Sequence, residues 1–426
     1  MTKKILADKS RHDLPYGHID RCQICGSESL ETIIDLGHQA PCDSLLWPKN
    51  LKEPEQAYPL NFVRCTECGL AQIDYVVPPE ILFYSDYPYR SGITETLRNN
   101  LRATASTIIN QFELRQNSLA IDIGSNDGSL LSGFKDGGMR VVGIEPTDIA
   151  DIAIKDGINT IKSFFSKKVA KDVVAKYGNA SAVTAANMFA HVAKLGELIR
   201  CVEYLLEDGG VFVTESHYLL DLMETVQYDS IYHEHLKYYS LKSLIELFDP
   251  YDFTVVDVER IENYGGSIRV FAVKGKGHKV SGRITELLAE EELFGLYDRP
   301  VFDEFAERIV KSKKDLMEFV VEARKNGDRV VGVGCPGRSS TLMNYCNIDP
   351  DLMPYIAEQS TSLKLGLFLP GMHTPIVDEE VLFQDPPEYV IMLSWHYWQP
   401  IVKNLRKKGL KSKIVLPLPA VTVLDI

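Results

Sequence analysis

Four cysteines in the first 68 residues stand as two C-x-x-C pairs, Cys22 with Cys25 and Cys65 with Cys68, each followed directly by a glycine, Gly26 and Gly69. Each pair puts two thiols on one tight turn, and the glycine lets the backbone fold round a tetrahedral ion. In a reducing compartment such pairs read as metal ligands sooner than as disulfides, the other reading being buried or redox thiols. A zinc ion held by Cys22, Cys25, Cys65 and Cys68 has every position filled by sulfur, so the expected metal is structural and leaves no place for a substrate. Cys42, Cys201, Cys335 and Cys346 stand singly and are expected in the core.

A second group of candidates is a glycine loop. Asp122, Gly124 and Gly128 follow an apolar run and precede a helical one, with Asn126 and Asp127 between the glycines. The G-x-G-x-x-G pattern of dinucleotide sites fails, because position 126 is Asn and position 129 is Ser. Two acids on the loop sit badly beside a pyrophosphate and better beside the cationic groups of an amino-acid-bearing nucleoside such as S-adenosylmethionine (SAM). Glu145 ends the next apolar run, where an acid can accept hydrogen bonds from both ribose hydroxyls. The plain alternative is a capping acid on an ordinary α/β loop.

The third group is Tyr232, His233, Glu234 and His235, the densest run of ionisable side chains in the sequence. Histidine titrates near neutral pH, so one of them can remove a proton while Glu234 or Tyr232 orients it or stabilises negative charge. A second metal site and a polar structural cluster are the competing readings. His191 also follows an apolar run closely and can reach the same crevice, or serve as a structural histidine. The aromatic run holding Tyr87 and Tyr89 either covers that crevice or packs a domain junction.

These residues need elements to hold them. The 426-residue chain is longer than one hydrophobic core usually grows, so two or three domains are expected. Residues 1–90 are rich in prolines and short of helical patterns, and read as a small irregular zinc-binding domain. In residues 91–283 apolar runs at 118–124, 139–146, 181–189 and 209–216 alternate with helical segments, the signature of a parallel doubly wound sheet. Runs at 253–261 and 267–275 form an expected hairpin that adds antiparallel strands at its edge. Residues 284–426 hold a charged helical stretch closed by Gly327 and a second alternating unit, read as a C-terminal Rossmann-like α/β domain. A net charge of −13 opposes nucleic-acid binding. Without a signal-peptide core or a run of roughly 20 apolar residues, the reading is a cytoplasmic protein with no membrane span.

With these motifs in order, the chain resembles the sugar C-methyltransferases of deoxysugar biosynthesis over nearly its whole length. The resemblance rests on the cysteine pairs, the 122–128 loop, the stretches 187–191 and 232–235, and Leu369, Pro370 and Gly371 within 363–375. It implies a class I SAM-methyltransferase core, a structural zinc, and a nucleotide-linked keto deoxysugar as substrate, with the enzyme a monomer or homodimer. It places Asn187 with the SAM contacts, gives His235 the role of base, and makes Glu234, Tyr232, His191 and Tyr87 or Tyr89 its neighbours. Where the family loop is rich in alanine and carries a lysine, this chain has Cys335, Arg338, Ser339, Ser340 and Thr341, and Arg338, Ser339 and Ser340 become the candidate substrate contacts. The segment 394–398, with two tryptophans, also departs from the family. The alternatives are a SAM-dependent O- or N-methyltransferase of a nucleotide sugar, and a binding protein whose zinc and SAM folds have lost catalysis.

Overall fold

The computed structural model describes residues 12–84, 90–92 and 95–424. Its central sheet has seven strands in the order Phe253–Ile261, Ser267–Lys274, Leu206–His217, Ala180–Ala186, Leu119–Ile123, Arg140–Glu145 and Thr160–Lys162. Leu119–Ile123 is buried at every position, as expected of a strand covered on both faces by helices. The five strands from Leu206–His217 to Thr160–Lys162 run parallel, and the 253–274 hairpin joins antiparallel through Ser267–Lys274. From Leu119–Ile123 the chain builds outward through Arg140–Glu145 to Thr160–Lys162, then returns to Ala180–Ala186 on the other side. This reversal opens a crevice at the carboxyl ends of the strands, the place where open α/β sheets take ligands.

The C-terminal sheet has the order Ile376–Asp378, Ile356–Glu358, Val330–Val333, Tyr389–Met392, Lys413–Leu416 and Thr422–Leu424, parallel except for the last strand. Helix Arg299–Lys325 precedes it and buries Phe302, Phe305, Ile309, Leu316, Val320 and Ala323, one face at helical spacing. Gly327, at φ +82°, stops the chain from continuing as a helix. Among the described residues no helix is long and apolar enough to cross a membrane.

The N-terminal segment is more regular than its prolines suggest. Leu30–Gln39, Tyr58–Cys65 and Ala71–Ile73 form an antiparallel sheet, and Lys237–Tyr238 adds a fourth strand from far along the chain. Two register shifts, between Thr32 and Ile34 and between Asp35 and His38, break the period-two alternation that would mark the long strand in sequence. Because Lys237 follows His235 by two residues, this sheet takes hold of the Tyr-His-Glu-His segment directly.

Candidate functional site

The two cysteine turns are built alike. Gly26 and Gly69 both have φ +74°, and their amides donate to the carbonyls of Cys22 and Cys65. All four sulfurs lie within 4.8 Å of one another, with Cys22 to Cys68 and Cys25 to Cys65 each 3.4 Å. Zn–S bonds of about 2.3 Å in a tetrahedron separate the sulfurs by about 3.8 Å, so the donor set fits zinc with small adjustment. Four thiolates leave no open position, which makes the ion structural.

At the crevice, Gly124, at φ +73°, brings backbone to the wall, and a Cβ there would lie 3.0 Å from the Met188 side chain. Asn126 at φ 47° and Asn187 at φ 57° hold left-handed backbone beside it, a conformation that asparagine tolerates better than most residues. Glu145 accepts from the Thr147 amide and hydroxyl on Oε1 and from the Asn126 amide on Oε2. A carboxylate has about four lone-pair positions, so Glu145 keeps one free for a ribose hydroxyl. Gly124, Asn126, Glu145 and Asn187 all line one cavity, and this polar, close-backed wall fits the nucleoside end of SAM.

Three neighbours on the loop face elsewhere. Asp122 lies under the sheet end and accepts from Thr184 Oγ1 at 2.6 Å, and burial pushes its carboxyl up to about 7. It is therefore no fixed counter-charge for a sulfonium. Asp127 is bound by Arg90, the Gly92 amide and Ser129. Gly128 is needed for packing, since a Cβ there would meet Ala153 and Ile158 at 3.1 Å.

The 232–235 segment alternates between two surroundings. Tyr232, Glu234 and His235 line the cavity, whereas His233 turns back to the Pro59 carbonyl at 3.1 Å and packs edge-on against Tyr58. His235 donates from Nδ1 to the Ser230 carbonyl at 2.8 Å. A carbonyl only accepts, so the proton is fixed on Nδ1 and Nε2 keeps its lone pair. The Tyr232 ring lies 4.0 Å from the His235 ring, His217 4.7 Å and His191 5.0 Å. Burial above all, then His217 and His191, holds His235 well below the usual histidine range, and burial brings His191 and His217 each to about 3. All three rings are neutral at pH 7. Glu234 accepts from the Cys42 thiol at 3.5 Å, so Cys42 is buried as expected but also touches a site residue.

The opposite wall comes from the C-terminal sheet. Arg338 opens helix Arg338–Cys346 and reaches the cavity, where it donates to the Tyr264 carbonyl at 3.0 Å and lies 3.6 Å from Asp229. Ser339 and Ser340 do not line the cavity. Successive helical positions turn by about 100°, which carries both into the packed interior, where Ser340 Oγ accepts from Asn344. Lys364, also on the wall, pairs with Asp43 at 2.7 Å and donates to the Cys335 carbonyl at 2.8 Å. Although burial opposes its charge, Asp43 and Cys335 hold Lys364 above the ordinary lysine range. The whole cavity measures about 1450 Å³ and runs from Glu145 to Arg338 and His396.

Comparison with known proteins agrees with this layout. Residues 22–83 match a family described as "Putative zinc binding domain", residues 97–258 a methyltransferase domain, and residues 262–419 the C-methyltransferase C-terminal domain. Over 411 residues, 96% of this chain and 97% of the relative, the sequence is 31% identical to the C-methyltransferase NovU of Streptomyces niveus. The chain belongs to the C-methyltransferase family. It is a SAM-dependent enzyme with a zinc-binding N-terminal domain. Among solved structures it is similar to the magnesium protoporphyrin IX methyltransferase of Synechocystis PCC 6803, at 10% identity, 42% of this chain, 79% of that one and a TM-score of 0.31. It is also similar to a SAM-dependent methyltransferase of Anabaena variabilis, at 16% identity, 42% and 86% coverage and a TM-score of 0.31. Scores this low leave the fold to rest on the sheet orders above.

In this C-methyltransferase the expected residues Tyr232, Glu234, His235, His191, Gly124, Asn126, Glu145, Asn187 and Arg338 share one cavity, while Asp122, Asp127, Gly128, Ser339 and Ser340 stand off it. Tyr87 and Tyr89 lie outside the described residues. Sequence reasoning missed His217, Tyr264, Lys364 and His396. His217 was findable, because it ends the strand Leu206–His217 at its carboxyl end, the rule that pointed to His191. His396 lies in the 394–398 departure noted above, where Trp395 donates from Nε1 to Asp229 at 2.8 Å and sets its neighbour at the wall.

Proposed function

We propose that this C-methyltransferase places the methyl group on the carbon beside the ketone of a nucleotide-linked deoxysugar. The observation that carries the reading is the fixed tautomer of His235, whose Nε2 lone pair faces a cavity that also reaches Gly124 and Glu145. A ketone acidifies its neighbouring C–H because the resulting charge is stored on oxygen, so the reaction needs a base and an oxyanion donor together. His235 Nε2 takes the proton. Burial keeps the phenol of Tyr232 protonated, and it or His191 donates to the enolate oxygen. SAM, held by Gly124, Asn126, Glu145 and Asn187, supplies the electrophilic methyl. An anionic substrate raises the basicity of the depressed His235, since opposite charge favours imidazolium.

The size of the cavity supports two ligands, because about 300–1,000 Å³ suffices for one. Arg338 is suited to the diphosphate, its fork matching phosphate oxygens. We read the chain as three units, 1–90, 91–283 and 284–426, meeting at this cavity. The test is His235→Ala, assayed by mass spectrometry for gain of one methyl on dTDP-, UDP-, GDP- and CDP-linked keto sugars. Turnover is expected to fall at least about a hundredfold with SAM affinity retained. Near-normal turnover in that variant removes His235 as the base, and methylation of sugars that lack a ketone removes the enolate.

A further inference from the structure

Carbon methylation of this kind leaves a proton behind at every turnover. The C–H bond breaks, the C–CH3 bond forms as the methyl leaves sulfur with its bonding pair staying there, and the proton remains on His235. For the next cycle that proton must go. It cannot leave through Nδ1, whose hydrogen is held by the Ser230 carbonyl at 2.8 Å, an acceptor that passes nothing on. His235 is itself only 6% exposed. The proton therefore leaves from Nε2, on the cavity side.

Three rings border His235 there. His191 stacks on it at 28° between planes, and the Tyr232 ring is tilted to it by 34°. Imidazole donates and accepts in its ring plane, so the stacked His191 does not point its nitrogens at His235, and a phenol that keeps its own proton is a far weaker base than imidazole. His217 is tilted by 53° with its centroid 4.7 Å away. Among the described residues nothing hydrogen-bonds to its ring nitrogens. It is less buried than His235 and sits at the end of the inner strand Leu206–His217. The other groups facing it are His191, Arg338, Tyr264 and His396, and His396 keeps an unpaired Nδ1 on the far wall.

We propose that His217 is a relay that takes the proton from His235 Nε2 through one water of the cavity and hands it on to the water beyond and to His396, resetting the base. This rests on the enolate reading above. His217 acts through His235 and is a positioning residue for the proton, with no bond to the reacting carbon.

The experiment uses a dTDP-linked 4-keto-6-deoxysugar deuterated beside the ketone, with S-adenosylhomocysteine in place of SAM, and follows loss of deuterium to water by mass spectrometry. Wild-type protein is expected to wash the label out. In His217→Gln, washout and multiple-turnover kcat should fall about tenfold or more, KM and single-turnover methyl transfer should change less than about threefold, and added imidazole should restore washout. Retained SAM binding by calorimetry certifies the variant's fold. Washout at the wild-type rate in His217→Gln overturns the relay alone. A parallel fall in single-turnover transfer also overturns it, placing His217 at the chemical step. Wild-type protein that methylates a keto sugar without ever exchanging its label overturns the enolate reading and the relay together.

Discussion

The zinc site and the imidazole cluster are both gatherings of metal- or proton-binding side chains, yet they are assembled in opposite ways. Each half of the zinc site is a local turn, with two thiols three residues apart and a glycine behind them. The cluster draws His191 from the loop after one strand, His217 from the end of the next and His235 from a segment clamped by the N-terminal sheet. A local turn carries its geometry in its spacing, whereas a cluster of distant residues exists only when three elements pack correctly. The first should fail by unfolding and the second by losing chemistry.

Stripping the zinc, or the substitution Cys65→Ser, should have the largest effect, because structural zinc contributes about 10–16 kcal/mol of binding energy to its domain. Loss of metal by elemental analysis should coincide with loss of N-terminal structure by circular dichroism. A folded, active, metal-free protein would remove the contrast. Lys364→Met attacks the link between the N-terminal segment and the C-terminal sheet. It leaves Asp43 buried without its partner, which should cost about 3–5 kcal/mol in chemical denaturation. A change within about 0.5 kcal/mol, the range of an ordinary surface site, would mean that this joint is not a buried pair.

Mild acid tests the imidazole cluster itself. His191 and His217 titrate at about 3 in the folded protein and near 6.5 when unfolded. Between those values the unfolded chain binds more protons, so stability is complete above about pH 6.5 and declines as pH falls toward about 3. Thermal melts from pH 7.5 to 4.5 should show a falling Tm, with a shallower slope in His217→Gln. An unchanged slope would separate His217 from the buried cluster.

The legible parts of the molecule follow the same division. The strands at 119–123, 140–145 and 253–261 could be read because each is a short apolar run bounded by turn residues, and the glycines at 124 and 327 mark real left-handed backbone. Strand Leu30–Gln39 could not, because its two register shifts hide the alternation and its sheet is completed by Lys237–Tyr238. Within the site, Glu145 was readable as an acid at a strand end, and His235 as a candidate base within the densest ionisable run. Asp122 and Ser340 were readable as polar loop residues, but their direction was not.

Sequence by itself determined the four zinc ligands, the α/β class and the presence of a dense ionisable segment, since spacing, periodicity and residue type act over a few neighbours. Tertiary structure decided which nitrogen of His235 is free, which loop residues face the cavity, and that His217 and His396 join it. Those outcomes depend on which backbone carbonyl and which ring come to lie alongside one another when separate sheets pack, and no local pattern carries that information.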